Sequence, residues 1–253
     1  MPDRVRLDGK AALVTGAAGV IGSATIRLLA ERGARIVAVA GNREACKARS
    51  TTCPPPRRPS PSPANVTNED EVTEDIRTAV NRFGPVDVSS NNAAPKATSN
   101  RSPNIRFAMF RKVIDVNVVG VFLGMKRVLP VMLKQDGFDR RAYGIAGDRG
   151  LQREQACRDR ADQERGMGVH GTGVRIDCVC PRLIDSRTLS SILQGRSPGN
   201  APPPNDKTVE RIPARRLGRA SEVASIVAFL ASDEASYVSG FAYTVDGGRT
   251  AAY

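Results

Sequence analysis

The sequence predicts one α/β domain in which helices cover both faces of a parallel sheet. Three observations carry this. The chain opens in the order strand, tight turn, helix, strand, a βαβ unit that requires a parallel pair. Its first strands are short, continuously apolar runs, as strands buried on both faces are. Its 253 residues suffice for one sizeable core, and no internal repeat divides them.

Each element follows from a local pattern. Ala11 to Val14 is an apolar run that ends at Thr15-Gly16. Ile21, Thr25, Leu28 and Leu29 recur at helical spacing, so Ile21 to Arg32 is predicted helical, with Gly33 ending it. Arg35 to Ala40 (RIVAVA) reads as a second buried strand. The pattern then breaks over residues 46–63, where Pro54, Pro55, Pro56, Pro59, Pro61 and Pro63 exclude a helix and a central strand. Order is expected to resume at Val66. Glu69 to Phe83 has the spacing of an amphipathic helix capped by Asn68 or Thr67. Val86 to Ser90 can form a strand, although Ser89 and Ser90 are poor core residues.

Residues 95–107 are polar and read as irregular. Phe110 to Leu133 predicts a long helix with Val113, Val116, Val121, Leu123 and Met125 along it. Residues 137–168 show almost no apolar periodicity; a core helix and a strand belong near here, and neither is legible. Val174 to Cys180 (VRIDCVC) reads as a strand. Ser221 to Leu230 predicts an amphipathic helix with Ser221 as N-cap and Glu222 in the first turn. Ala242 to Val245 is a last strand before Asp246-Gly247-Gly248. The domain is expected to span 1–253, with irregular segments at 46–63, 95–107 and 137–168.

Composition narrows the partners. A net charge of +12 ordinarily suggests nucleic acid or an anionic surface. Much of it sits in two stretches without acids: Lys47, Arg49, Arg57 and Arg58 in 46–63, and Lys96, Arg101 and Arg106 in 95–106. Both are rich in Pro, Ser or Asn and lack interleaved aromatics for base stacking, so nucleic acid is not expected. No run approaches the roughly 18 apolar residues of a membrane span. Met1 to Lys10 is charged and leads into no signal-type apolar stretch. A cytoplasmic location is expected by default. The five cysteines are an odd number, which argues against a disulfide framework. Cys46 and Cys53 have no second close pair, so no metal site is expected. His170 reads as a surface residue before a strand.

The chemistry-bearing segment is Thr15-Gly16-Ala17-Ala18-Gly19-Val20-Ile21-Gly22, between the first strand and the first helix. Gly16 permits the tight turn, Gly19 lets the backbone approach a pyrophosphate, and Gly22 lets helix pack on strand. The helix start offers unpaired N–H groups and the positive end of its dipole to phosphates. A merely tight turn is the competing reading, but the strand–turn–helix context favours phosphate.

With these residues in view, LDGKAALVTGAAGVIG resembles the opening of the short-chain dehydrogenase/reductase family, with Val20 where a glycine is usual. Further landmarks follow in order. Asn91-Asn92-Ala93-Ala94 is similar to the family's NNAG turn. Asp115-Val116-Asn117-Val118 is similar to the helix segment carrying its structural and catalytic Asn. Cys180-Pro181-Arg182-Leu183-Ile184 is similar to its Pro-Gly motif, with Arg182 for Gly. Tyr237-Val238-Ser239-Gly240 through Val245-Asp246-Gly247-Gly248 is similar to its C-terminal signature.

The resemblance implies a Rossmann-like doubly wound parallel sheet of about seven strands, NAD or NADP as cofactor, a small-molecule alcohol or ketone as substrate, and a homo-oligomer. It implies cofactor contacts at Thr15, Gly16, Gly19, Val20, Ile21, Gly22, Asn65, Val66, Asn92, Ala93 and Ile184, with Asn65 where the family often has an Asp contacting adenine. Ala40-Gly41-Asn42 supplies no acid for ribose hydroxyls. Arg43 leans toward a 2′-phosphate, and a solvated surface arginine is the alternative.

In that family a tyrosine serves as general acid/base, a lysine on the next helical turn lowers its pKa, and a serine binds the substrate oxygen. This chain has no Tyr-x-x-x-Lys between 137 and 170; Tyr143 is followed four residues later by Gly147. No serine lies between Ser102 and Ser186. Of the catalytic set only Asn117 carries over.

A one-nucleotide shift explains the loss. The codons of Gly150 to Gly166 permit AYSASKHAVIGLTKSAA in the next frame, with tyrosine at the place of Leu151 and lysine at that of Gln155. Segments 46–63 and 95–106 behave alike in the opposite frame, permitting LQGA followed by LPAAAAAVAVA, and EGDVEPIAEYP. True insertions are the rival explanation. Frame errors or a decayed gene are favoured, because shapeless stretches of that length are rare inside compact domains. The expected function is therefore NAD(P)-dependent oxidoreduction by family, with the chain as written inactive. The alternative is a non-catalytic relic that at most binds nucleotide.

Overall fold

A computed structural model describes residues 5–41, 44, 59–95, 106–134, 171–186 and 209–252, and the backbone of 140–145. Among them, β1 (Ala11–Thr15), β2 (Arg35–Ala40), β3 (Ser60–Pro63), β4 (Val88–Asn91), β5 (Arg140–Ile145), β6 (Val174–Pro181) and β7 (Ala242–Val245) form one sheet. Its order is β3-β2-β1-β4-β5-β6-β7, and every neighbouring pair is parallel.

Side chains alternate across a strand, so the apolar runs of β1 and β2 feed two cores at once. On one face α1 (Val20–Glu31) sets Ile26, Leu29 and Ala30 over Ala12, Val14, Ile36 and Ala38. On the other, α2 (Glu69–Phe83) sets Val72, Ile76 and Ala79 over Leu13, Val37 and Val39. The next helical stretch is α3 (Phe107–Ile114), a π-helical turn Asp115–Val119, and α4 (Gly120–Leu133). It packs on the α2 face through Leu123, Met125, Val128, Leu129 and Met132. α5 (Ala220–Leu230) joins α1 with Val223, Val227 and Leu230. Phe107–Leu133 as a whole is long and apolar enough to cross a membrane, by length and composition alone. Its buried face makes it a core helix, although no such apolar span was expected from the sequence.

Two segments expected to be irregular contain strands. In 46–63, Ser60–Pro63 is an edge strand paired with β2. The Ala64 N–H donates to the Ala40 carbonyl at 3.2 Å, so the even-numbered residues turn their N–H groups toward β2. Pro61 and Pro63 then point their missing donors outward, where no ladder needs them. In 137–168, Arg140–Ile145 is a central strand with β4 on one side and β6 on the other. Its sequence, RRAYGI, has no apolar run, so propensity could not reveal it. Residues 146–170 and most of 95–107 lie outside the described residues.

Smaller corrections concern helix ends. α5 begins at Ala220 with Arg219 as its N-cap, not Ser221, and the Arg219 N–H donates to the Glu222 carboxylate at 2.7 Å. Of the two residues expected to cap α2, Asn68 does so, and its Oδ1 accepts from the N–H groups of Asp70 and Glu71. Cys178 is a buried free thiol. Cys180 is disulfide-bonded.

Candidate nucleotide site

The strand order reverses between β1 and β4, each of which runs on into a helix of its own layer. Open α/β sheets bind ligands in the crevice outside the carboxyl ends of the strands at such a point. The segment Thr15 to Gly22 lines it.

Gly16 has φ +65°, and a Cβ there would lie 2.8 Å from the Ala93 Cα and 2.9 Å from the Asn92 carbonyl oxygen. A Cβ on Gly22 would collide with the Gly16 carbonyl and stand 2.7 Å from Asn92 Nδ2. Both glycines are therefore required by close backbone approach. Gly19 is the N-cap of α1 and supplies no side-chain cap, and the first turn contains no acid. Among the described residues no side chain caps the N–H groups of Val20, Ile21 and Gly22 or offsets the positive end of this helix. The cradle fits a phosphate by its shape and its donor set.

A clasp closes the cradle from the β4 side. The Thr15 hydroxyl accepts from the backbone N–H groups of Asn92 and Ala93, each at 3.0 Å, and donates to the Ser90 carbonyl at 3.4 Å. Asn92 Nδ2 donates to the carbonyls of Thr15 at 3.0 Å and Gly16 at 3.3 Å. The NNAA turn and the glycine turn thus hold one another. Just before it, the buried hydroxyls of Ser89 and Ser90 have no hydrogen-bond partner among the described residues.

Asn65 and Val66 follow the end of β3. A Cβ on Gly120 would stand 2.9 Å from Val66 Cγ2, so the α4 backbone lies against Val66. Asn117 sits half-buried in the π-helical turn between α3 and α4. Such one-turn insertions recur at functional sites. Ile184 follows β6, pairs with Gly218, and is buried in the same core cluster as Ala17. Before it, Leu183 has φ +52°, a left-handed conformation costly for a leucine. Hydrogen bonds hold it there: Gly218 N–H to the Leu183 carbonyl, and Asp185 N–H to the Gly218 carbonyl. The structure thus brings Thr15 to Gly22 together with Asn92 and Ala93, and sets Asn65, Val66 and Ile184 at the same end of the sheet. Asn42, Arg43, Leu151, Gln155 and His170 lie outside the described residues.

Two buried polar pairs escaped the sequence reading. On β6, Arg175 donates to the carbonyls of Leu230 and Val238, and Asp177 stands 3.7 Å away. The signal was two charges spaced i, i+2 in an otherwise apolar strand, which places them on one face. The other pair, Ser62 of β3 with Asp75 of α2, has no such signature.

Comparison with known proteins places the chain. A short chain dehydrogenase family model matches residues 10–138, and an enoyl-(acyl carrier protein) reductase model matches residues 166–250. Levodione reductase of Leifsonia aquatica is 30% identical over 98% of this chain and 97% of its own length. A 3-oxoacyl-[acyl-carrier-protein] reductase of Thermotoga maritima is 31% identical over 96% of this chain and 99% of its own. The crystal structure of levodione reductase superposes with a TM-score of 0.86 at 29% identity, covering 98% of this chain and 100% of that one.

Proposed function

Because the chain belongs to the short-chain dehydrogenase/reductase family of oxidoreductases, we propose that it holds NAD or NADP on the scaffold of a secondary alcohol or ketone oxidoreductase, and that the polypeptide with this sequence does not transfer hydride. The observation that carries the first half is the glycine cradle at the start of α1, closed by Thr15 and Asn92. Gly16, Gly19, Gly22 and the first-turn N–H groups would hold the pyrophosphate, Asn65 and Val66 would border the base, and Asn92, Ala93 and Ile184 would line the rest of the crevice. The bound nicotinamide supplies the hydride donor or acceptor. A 3-oxoacyl reductase and a levodione reductase among the relatives support a ketone or alcohol as the other reactant.

The second half rests on chemistry the chain lacks. Proton exchange with an alcohol oxygen needs a group of matched pKa, and general acid/base catalysis is worth roughly 10²–10⁴-fold. Asn117 can orient water but cannot supply that proton. No Tyr-x-x-x-Lys follows β5, and no serine lies between Ser102 and Ser186. A shifted reading frame accounts for the loss. It is supported by the two family matches, which stop at residue 138 and resume at 166, on either side of the segment that regains the motif when shifted. A homo-oligomer belongs to the same reading, supported by the apolar residues that α3 and α4 expose.

The test is to purify the chain and titrate it with NADH and NADPH, following nucleotide fluorescence, then assay turnover with ketones. Saturable binding without turnover is expected. Robust turnover overturns the second half, and no binding overturns the first.

A further inference from the structure

The helix layer that carries α2 and α4 holds a cleft that the nucleotide reading does not use. On α2, Thr73, Ile76, Arg77 and Val80 recur at i, i+3, i+4 and i+7, the spacing of one helix face. On α4, Lys126, Arg127, Pro130 and Val131 form the facing wall. Between them lies a cavity of about 380 Å³, open to solvent. That is the size of a small-molecule pocket. No residue of the glycine cradle or of its clasp lines it.

The floor is apolar because short side chains face one another there. Ile76 is buried, and Val80 and Val131 pack on the same core. Pro130 lies inside α4 and has no N–H to return to the Lys126 carbonyl, so that turn lacks one of its hydrogen bonds. Arg77, Lys126 and Arg127 are partly exposed. Long cationic side chains lay their stems on apolar surface and keep their heads at the rim.

The charges of the rim do not balance. Arg77 pairs with Glu74 at 2.7 Å. Lys126 and Arg127 approach the same oxygen of Glu69, each at 2.8 Å, and so share one negative charge. Arg127 Nε is buried and has no hydrogen-bond partner among the described residues. A buried donor left unmet is costly until an acceptor arrives. The occupant that answers both features has an apolar chain and an anionic head. We propose that this cleft binds a single-chain carboxylate amphiphile, a fatty-acid anion of medium length. Its chain lies along Ile76, Val80, Pro130 and Val131, and its carboxylate meets Arg127 and Lys126.

The probes are decanoate, propionate and decyltrimethylammonium, titrated calorimetrically into the native chain below the concentrations at which they form micelles. Decanoate is expected to bind saturably at one site per chain. Propionate keeps the head and loses most of the chain. Each buried CH₂ is worth up to about fourfold, so propionate should not saturate. Decyltrimethylammonium keeps the chain and inverts the charge, and should bind roughly tenfold more weakly than decanoate. Substitutions locate the site. Thr73 is exposed, and Thr73→Glu sets a carboxylate in the cleft, which should weaken decanoate binding about tenfold. Arg127→Met keeps an apolar stem and removes the charge, at a cost of roughly three- to tenfold. The variants are independent, so one that fails to fold leaves the other to decide. No decanoate binding by the native chain, equal binding of the cation, or decanoate affinity unchanged in a folded variant overturns the proposal.

Discussion

Thr15 shows how one side chain decides whether the glycine turn has a fixed shape. Its hydroxyl uses its donor and both acceptor sites, and removing it strands the Ala93 N–H in a part-buried place, while the Asn92 N–H keeps the Ser90 carbonyl at 3.0 Å. Thr15→Val keeps the shape and deletes the hydroxyl. An unsatisfied donor costs about 1–3 kcal/mol, so a loss of roughly 2 kcal/mol in urea unfolding is expected, with weaker NAD(P)H binding. A change within about 0.5 kcal/mol would mean that water replaces the hydroxyl. The glycines of this turn were legible in sequence because their spacing between a strand and a helix is a local pattern. The clasp was not, because Thr15 and Asn92 lie far apart in the chain and only the sheet brings them together. Asp75 is a second case. It is 4% exposed and takes a hydrogen bond from Ser62. Burial pushes its carboxyl up to about 6 from 3.8, Ser62 opposes this, and Glu71 and Glu74 add to it. The folded state therefore keeps this proton to higher pH than the unfolded chain. The stability it contributes is full below about 3.8 and is lost as pH rises through about 6. Asp75→Asn should abolish that fall and leave the protein more stable at pH 7 by about 2–3 kcal/mol. Melting temperatures of both proteins across this range decide it; parallel curves would show that Asp75 is not the titrating group.

Elements were legible wherever one face or one cap wrote itself into a short stretch. Arg35 to Ala40, Glu69 to Phe83 and Ala242 to Val245 have the bounds expected of them. β3 and β5 were not legible, for different reasons. β3 is proline-spaced and tolerable only at an edge, and an edge is a property of the sheet. β5 has the wrong residues for a strand flanked on both sides, yet the backbone takes that place because β4 and β6 each present a ladder to it. The proposed frame shift would resolve the mismatch, since Phe138 to Arg141 then permits Ser-Ile-Val-Val, a sequence suited to a central strand. In the natural gene, the codons of Arg140 and Arg141 are expected to end in T, and those of Leu151 and Gln155 in A. Sequencing settles it, and other third bases remove the frame explanation. β6 carries the element-scale energetics. Arg175 ties β6 to the last carbonyl of α5 and to Val238, with Asp177 as counter-charge. Burial raises the Asp177 carboxyl, against the pull of the Phe241 N–H and of Arg175. Breaking a buried pair from one side typically costs about 3–5 kcal/mol. Arg175→Met is expected to lose that much in urea unfolding, and adding Asp177→Leu should recover part. A loss below about 1 kcal/mol would mean that water satisfies both carbonyls.

At the scale of the whole molecule, the sheet follows from its first forty residues and a handful of ordered motifs, whereas the surface is set by what the helices leave uncovered. α4 turns Leu123, Val128 and Met132 inward. The opposite side of the α3–α4 run exposes Phe107, Phe110, Ile114, Val118 and Phe122. These are spaced three or four residues apart and form one stripe. Phe107 is 74% exposed and Phe122 50%, unlike the scattered single residues of an ordinary surface. In the proposed homo-oligomer a second copy of the chain would cover such a stripe by two-fold symmetry, since an isologous contact needs only a self-complementary patch. The net charge of +12 opposes that association. Salt shortens the reach of the repulsion, to about 8 Å at physiological ionic strength, while leaving the apolar contact in place. Association should therefore strengthen with added salt, the opposite of a charge-driven complex. Light scattering of the native chain is expected to give at least twice the 27.0 kDa of one copy. Phe110→Glu combined with Phe122→Glu should return it to one copy without unfolding it, because neither side chain contributes to the buried core. A native chain that stays monomeric at tens of micromolar in high salt would rule the stripe out as an interface.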